Sequence, residues 1–142
     1  MTEMTQFRRN KCLQIIERLA EKDISSVFLK MVDPIADGVP DYPKYIQNPM
    51  ALNEVKSKLT SNSYKTVKDF EDDVELIWSN ARTFNGVNSP VDCMAQECAR
   101  IFRKKMKKLP ANKEQEWTLK IQKIVKQFEK AVMNPPIELA SN

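Results

Sequence analysis

Apolar residues recur every three or four positions through most of this chain, and the one long stretch where they do not is equally informative. From Arg8 to about Lys22, Cys12, Leu13, Ile15, Ile16, Leu19 and Ala20 form a single stripe, the mark of a helix with one apolar face. Residues 1–7 lack that pattern and read as a flexible, frayed leader. The run from Ile24 to Met31 either continues the first helix after a break or recaps it. Ala51 to Thr60 predicts a short helix with Leu52, Val55 and Leu59 inward. Thr66 followed three positions later by Asp69 is a capping box, and it opens a long helix carrying Val67, Phe70, Val74, Ile77, Trp78, Ala81 and Phe84 on one face. That helix ends at Asn85, where Gly86 supplies a left-handed residue. Ser89, Pro90 and Asp92 then read as cap, first helical position and third residue past the cap of a new helix. Its inner face runs through Val91, Met94, Ala95, Cys98, Phe102, Met106 and Leu109, with Pro110 just beyond.

Between Val32 and Pro49 the periodicity fails. Asp33-Pro34, Gly38-Val39-Pro40 and Asn48-Pro49 punctuate it, with room for a turn or two of helix between Asp41 and Ile46. A loop of that length inside a compact domain is a candidate functional element. Its apolar residues, Val32, Ile35, Val39, Tyr42, Tyr45 and Ile46, are too many for a solvated linker and should fold against the helices. The pattern therefore predicts an all-α chain: an up-and-down four-helix bundle over residues 8–109 with a long first inter-helix loop. An extension over residues 110–142 carries a further amphipathic helix at about 112–133, ended by Asn134-Pro135-Pro136. Its stripe, Trp117, Ile121, Ile124, Val125, Phe128 and Val132, must be covered by docking on the bundle, which we favour, or by a partner chain.

Composition sharpens this picture chiefly by exclusion. Two glycines against seven methionines argue against a sandwich or barrel, and no glycine-rich phosphate loop is present. The complete lack of histidine removes the commonest general base, the usual Ser and Cys protease arrangements and most zinc sites. Three cysteines, Cys12, Cys93 and Cys98, include no C-x-x-C and leave one over from any pairing. A reducing compartment is expected, with Cys93 and Cys98 as small buried thiols on a helix. No apolar run reaches the length of a membrane span, so no membrane association is expected. The acidic cluster Asp69, Glu71, Asp72, Asp73 and Glu75 lies on a helix whose other face is apolar and reads as solvated charge. Neither an enzyme nor a cofactor or metal is expected.

Taken alone, Asn85 is most simply a helix-end residue. Once loop and bundle are placed, the chain resembles a bromodomain over about residues 10 to 109. The motifs that carry the resemblance are Val32-Asp33, Pro40-Asp41-Tyr42, Asn48-Pro49-Met50 leading into Leu52 to Leu59, Tyr64, Phe70, Asp73 and Thr83-Phe84-Asn85. The resemblance implies a left-handed four-helix bundle with an acetyl-lysine pocket between the long loop and the loop after Asn85. Asn85 matches the asparagine whose amide donates to the acetyl carbonyl, and Tyr42 the tyrosine that reaches the same oxygen through water. Phe28 matches the last residue of the Trp-Pro-Phe shelf, Val32 and Val39 the walls of the first loop, and Val91 the gatekeeper of the last helix. Phe84, Val27 and Ala81 complete the expected lining. The chain departs from the family pattern in four places. The shelf reads Ser26-Val27-Phe28 without tryptophan, Pro43 follows Tyr42, Ala51 replaces an acidic cap, and Ala81 stands where cysteine is frequent. These departures bear on ligand preference and open the slot. The resemblance further implies a nuclear, monomeric chromatin reader of acetylated lysine peptides, histone tails above all.

Charge adds a second reading. Asp33, Asp37 and Asp41, with no basic residue between Lys30 and Lys44, favour a basic peptide at the loop. Arg100, Arg103, Lys104, Lys105, Lys107 and Lys108, continued by Lys113, Lys120, Lys123, Lys126 and Lys130, read first as a solvated helical face. Their alternative use is weak contact with DNA phosphates through the basic last helices, or nuclear import.

Overall fold

The computed structural model describes residues 2–134, which divide after Leu109 into two compact units. Pro135 and Pro136, expected to end the last helix, lie outside the described residues.

In the first unit, α1 (Gln6–Ala20), α3 (Leu52–Thr60), α4 (Val67–Asn85) and α5 (Pro90–Lys107) pack as a closed ring, α1 on α3, α3 on α4, α4 on α5 and α5 on α1. Trp78, Phe70, Phe102, Ile16, Leu19 and Leu52 are its largest fully buried apolar side chains. The apolar positions that set the helical period are the ones that meet at its centre. Phe70 lies between Tyr64 (ring centroids 5.9 Å apart) and Phe102 (5.7 Å), and so joins the α3–α4 turn to α5. Tyr64 also donates its hydroxyl to Asp73 (2.7 Å), which accepts from Lys58 (2.6 Å). Two polar groups at the edge of the core are thereby satisfied.

Thr66 and Asp69 form the capping box that the sequence predicts, while Ala51 leaves α3 without a side-chain cap. The undecided stretch after α1 is a 3-10 helix, Asp23–Phe28. The buried Ser25 hydroxyl ties it to the end of α1, sharing its hydrogen between the carbonyls of Leu19 (2.7 Å) and Lys22 (2.8 Å), which also accept from the Lys22 and Ser25 N–H groups.

Three expectations are corrected. The leader is not frayed over residues 2–5. Met4 is buried and donates its N–H to the Lys65 carbonyl (2.9 Å), and the Thr2 carbonyl accepts from Val67 (3.0 Å), so backbone pairing ties it beside the α3–α4 turn. Cys93 is exposed, whereas Cys98 and Cys12 are buried; burial, aided by Glu71, pushes the Cys12 thiol up to about 12. Within the long loop Tyr42 and Ile46 are buried, but Ile35 and Tyr45 are exposed. A loop one layer thick cannot turn every side chain inward.

The second unit contains α6 (Lys113–Met133), capped by the Asn112 side chain, which accepts from the Gln115 N–H (2.8 Å). No residue of α6 is buried.

Candidate functional site

Two loops at the ends of helices enclose a cavity of about 400 Å³, and local chemistry holds each loop in place. The first begins where the Asn53 N–H donates to the Leu29 carbonyl (3.0 Å). Asp33 then organises a turn: its Oδ1 accepts from Ile35 (3.1 Å) and Ala36 (3.2 Å), while its own N–H donates to Asp37 Oδ2 (2.9 Å). Gly38 closes that turn at φ +70°, a left-handed conformation that glycine adopts without steric cost. A short helix, α2 (Tyr42–Tyr45), brings the Tyr42 ring edge-on to Phe84, with centroids 4.8 Å apart. At the loop's far end, buried Asn80 reaches out from α4 and donates to the Asn48 carbonyl (2.8 Å).

The second loop hangs on Asp92. Ser89 caps α5 as expected, accepting from the Asp92 N–H (3.1 Å), but the Asp92 carboxylate does not complete a capping box. It is buried, and it accepts from Arg82 Nε (3.0 Å), the Asn88 N–H (2.8 Å) and Gln96 (3.3 Å). Asn88 (φ +65°) and Gly86 (φ +92°, ψ 154°) provide the reversals; the extended ψ of Gly86 differs from the expected helix-closing left-handed residue.

The Arg82 guanidinium, with the Asn88 N–H and Gln96 behind it, holds the Asp92 carboxyl below the usual carboxylate range. In the unfolded chain that carboxyl regains its ordinary value of about 3.9. The stabilisation is therefore complete above about pH 4 and lost as pH falls through the depressed folded value. Thermal unfolding of the native chain and of Asp92→Asn at a series of pH values should show the native advantage shrinking below about pH 4. Parallel curves would remove Asp92 as the anchor of this loop.

All nine residues singled out from the sequence line the one cavity: Val27, Phe28, Val32, Val39, Tyr42, Ala81, Phe84, Asn85 and Val91. Five others join them, Lys30, Asp37, Met50, Ile77 and Asn80. Ile77 is legible in the sequence as a core position one turn before Ala81. The Asn80 contact is not, because its partner lies 32 residues away in the chain. The buried members are Phe28, Tyr42, Ile77, Asn80 and Ala81; Val27, Lys30, Asp37 and Asn85 are exposed. Asn85 is thus an exposed residue of the lining, and Asn80 is its buried carboxamide. Asn85 Nδ2 donates to the Ala81 carbonyl (2.9 Å). That bond orients the amide and uses one of its two hydrogens. Burial raises the Tyr42 hydroxyl above its ordinary range, so it stays protonated at neutral pH and can both donate and accept.

The site is therefore a mostly apolar slot with two carboxamides and a neutral phenol in its lining, and its two charged residues are exposed. It can hold a long apolar stem ending in an uncharged polar group.

A family model described as Bromodomain matches residues 12–97. The chain is 39% identical over 99 residues to the SWR1 complex bromodomain subunit bdf1 of Schizosaccharomyces pombe, covering 70% of this chain and 17% of that protein. It is 42% identical over 94 residues to an ankyrin repeat, bromo and BTB domain-containing protein of Dictyostelium discoideum, covering 66% and 12%. The chain thus spans less than a fifth of the length of these curated relatives. Among solved structures, the second bromodomain of Candida albicans Bdf1, bound to an imidazopyridine, superposes with a TM-score of 0.68 at 33% identity, covering 72% of this chain and 99% of that one.

Proposed function

From the premise that the chain belongs to the bromodomain family, whose left-handed helical bundle it shares, we propose that its cavity receives an acetylated lysine side chain on a peptide, without catalysis. The observation that carries this reading is the convergence of Asn85, Tyr42 and seven apolar or aromatic neighbours on one slot. Asn85 donates its second amide hydrogen to the acetyl carbonyl, and Tyr42 reaches the same oxygen through a water. Phe28, Val32, Val39 and Val91 enclose the stem, while Val27, Ala81 and Phe84 shape the sides.

Discrimination is chiefly a penalty on the wrong ligand. An unmodified lysine would bring an ammonium against Phe28, Ile77 and Ala81, where losing its hydration costs several kcal/mol. Asp37 lines the cavity but is exposed and already accepts from the Asp33 N–H, so it offers no partner at the buried end. The correct ligand gains roughly 0.5 to 1.5 kcal/mol from the direct hydrogen bond and about 0.8 kcal/mol per buried CH₂, before the entropy of association. Affinity for one mark should be micromolar to sub-millimolar. Asp33, Asp37 and Asp41 favour a basic peptide, which points to histone tails and a nuclear chromatin reader. Lys30 on the same lining moderates that field.

Titrating acetylated and unacetylated forms of one basic peptide tests the reading, with binding expected for the acetylated form. Equal binding of the two would overturn it. The alternative, DNA contact through the basic last helices, predicts affinity that falls steeply with salt and ignores acetylation. It is weakened by Arg103, which is paired bidentately with Glu75 (2.6 and 2.9 Å), and by Arg100, which is paired with Glu97.

A further inference from the structure

Trp117, Ile121, Ile124 and Phe128 of α6 expose 66, 54, 62 and 68% of their surfaces, a row of large apolar side chains that water alone does not favour. They recur at spacings of four, three and four, and Ala131 follows three further on. That is the 3.5-residue seam of a coiled coil, with Val125 and Val132 widening it on one side. Most of the stability of a helix in a protein comes from packing of its apolar face, and no residue of α6 is buried, so the seam calls for a partner helix.

We propose that α6 pairs antiparallel with α6 of a second copy of this chain. With Ile121 set against the partner's Ile124, the two-fold relation also sets Trp117 against the partner's Phe128. Four apolar layers then close on themselves, as a self-complementary interface requires. The flanks permit this pairing. Lys120 falls opposite the partner's Gln127, and Thr118 opposite the partner's Val125, so no like charges meet beside the seam. The ends favour it as well. Glu114 in the first turn approaches the partner's Lys130 in the last, whereas a parallel pair would bring the two basic ends together. This replaces the monomer expected from sequence.

Sedimentation of the full chain from micromolar to sub-millimolar concentration should show the average mass rising from 16.5 kDa toward twice that value. Ile121→Glu combined with Ile124→Glu should hold it at one chain mass. Both positions are exposed, so the bundle keeps its unfolding transition. In a Cys93→Ser background, Lys120→Cys with Gln127→Cys should form a disulfide-linked dimer under oxidation, and Gln127→Cys alone should not. A mass fixed at one chain throughout the range, whatever other partner then covers the face, overturns the pairing. So does a rise in mass that the two glutamates leave unchanged. Failure of the double-cysteine chain to cross-link overturns the antiparallel register.

Discussion

Replacing Asn85 with alanine is expected to lower affinity for an acetylated peptide roughly five- to hundredfold while leaving the helical fold intact. The range follows from the cost of an enclosed carbonyl that loses its donor, about 1 to 3 kcal/mol. The fold should survive because the amide's own hydrogen bond, to the Ala81 carbonyl, belongs to the last turn of α4, where Gly86 also donates to Arg82 (2.8 Å). Calorimetric titration of the variant beside its unfolding curve checks both halves. Unchanged affinity in a folded variant would mean that the acetyl group is held elsewhere on the wall, with buried Asn80 as the next donor to test. Loss of affinity together with loss of the unfolding transition would instead make Asn85 a structural residue of the loop.

The largest effect on stability is expected at Phe70. Its ring is fully buried and bridges Tyr64 and Phe102, so alanine leaves a cavity walled by two aromatic rings and helix backbone. Substitutions of this kind cost about 3 to 5 kcal/mol. Against a total of about 5 to 15 kcal/mol for a domain, that is a large share. Denaturant unfolding should show a much lower midpoint with an unchanged slope. A loss below about 1 kcal/mol would mean that the three rings repack, and the link from the α3–α4 turn through α4 to α5 would not be a rigid one.

The two predictions draw on parts of the molecule that differ in how readily the sequence reveals them. Phe70 is one of a row of apolar residues at helical spacing, and such rows are local: each helix announces its inner face through neighbours three and four positions away. The caps are local too, which is why Thr66 with Asp69, and Ser89 with Pro90, mark helix starts in the bare sequence. The nine cavity residues follow from family motifs, and motif order along the chain is again a one-dimensional property.

What escaped was decided by contacts between distant segments. Asp92 looks like half of a capping box, yet its carboxylate turns to Arg82, ten residues back on the preceding helix, because folding brings that guanidinium within reach. Asn80 looks like a polar residue on the edge of an apolar face, and only the return of the loop puts the Asn48 carbonyl beside it. Asp37 enters the lining from the turn that Asp33 organises, where it accepts from the Asp33 N–H.

Chain periodicity and capping chemistry were therefore enough to establish a helical bundle, its inward faces and the long loop between its first helices. Tertiary packing alone settled that Asn85 stands near solvent, that Asn80 lies deep, and that residues 2–5 are pinned rather than loose. The reason is physical: hydrophobic spacing constrains which way a side chain faces, whereas a hydrogen bond across the fold depends on where a second segment comes to rest.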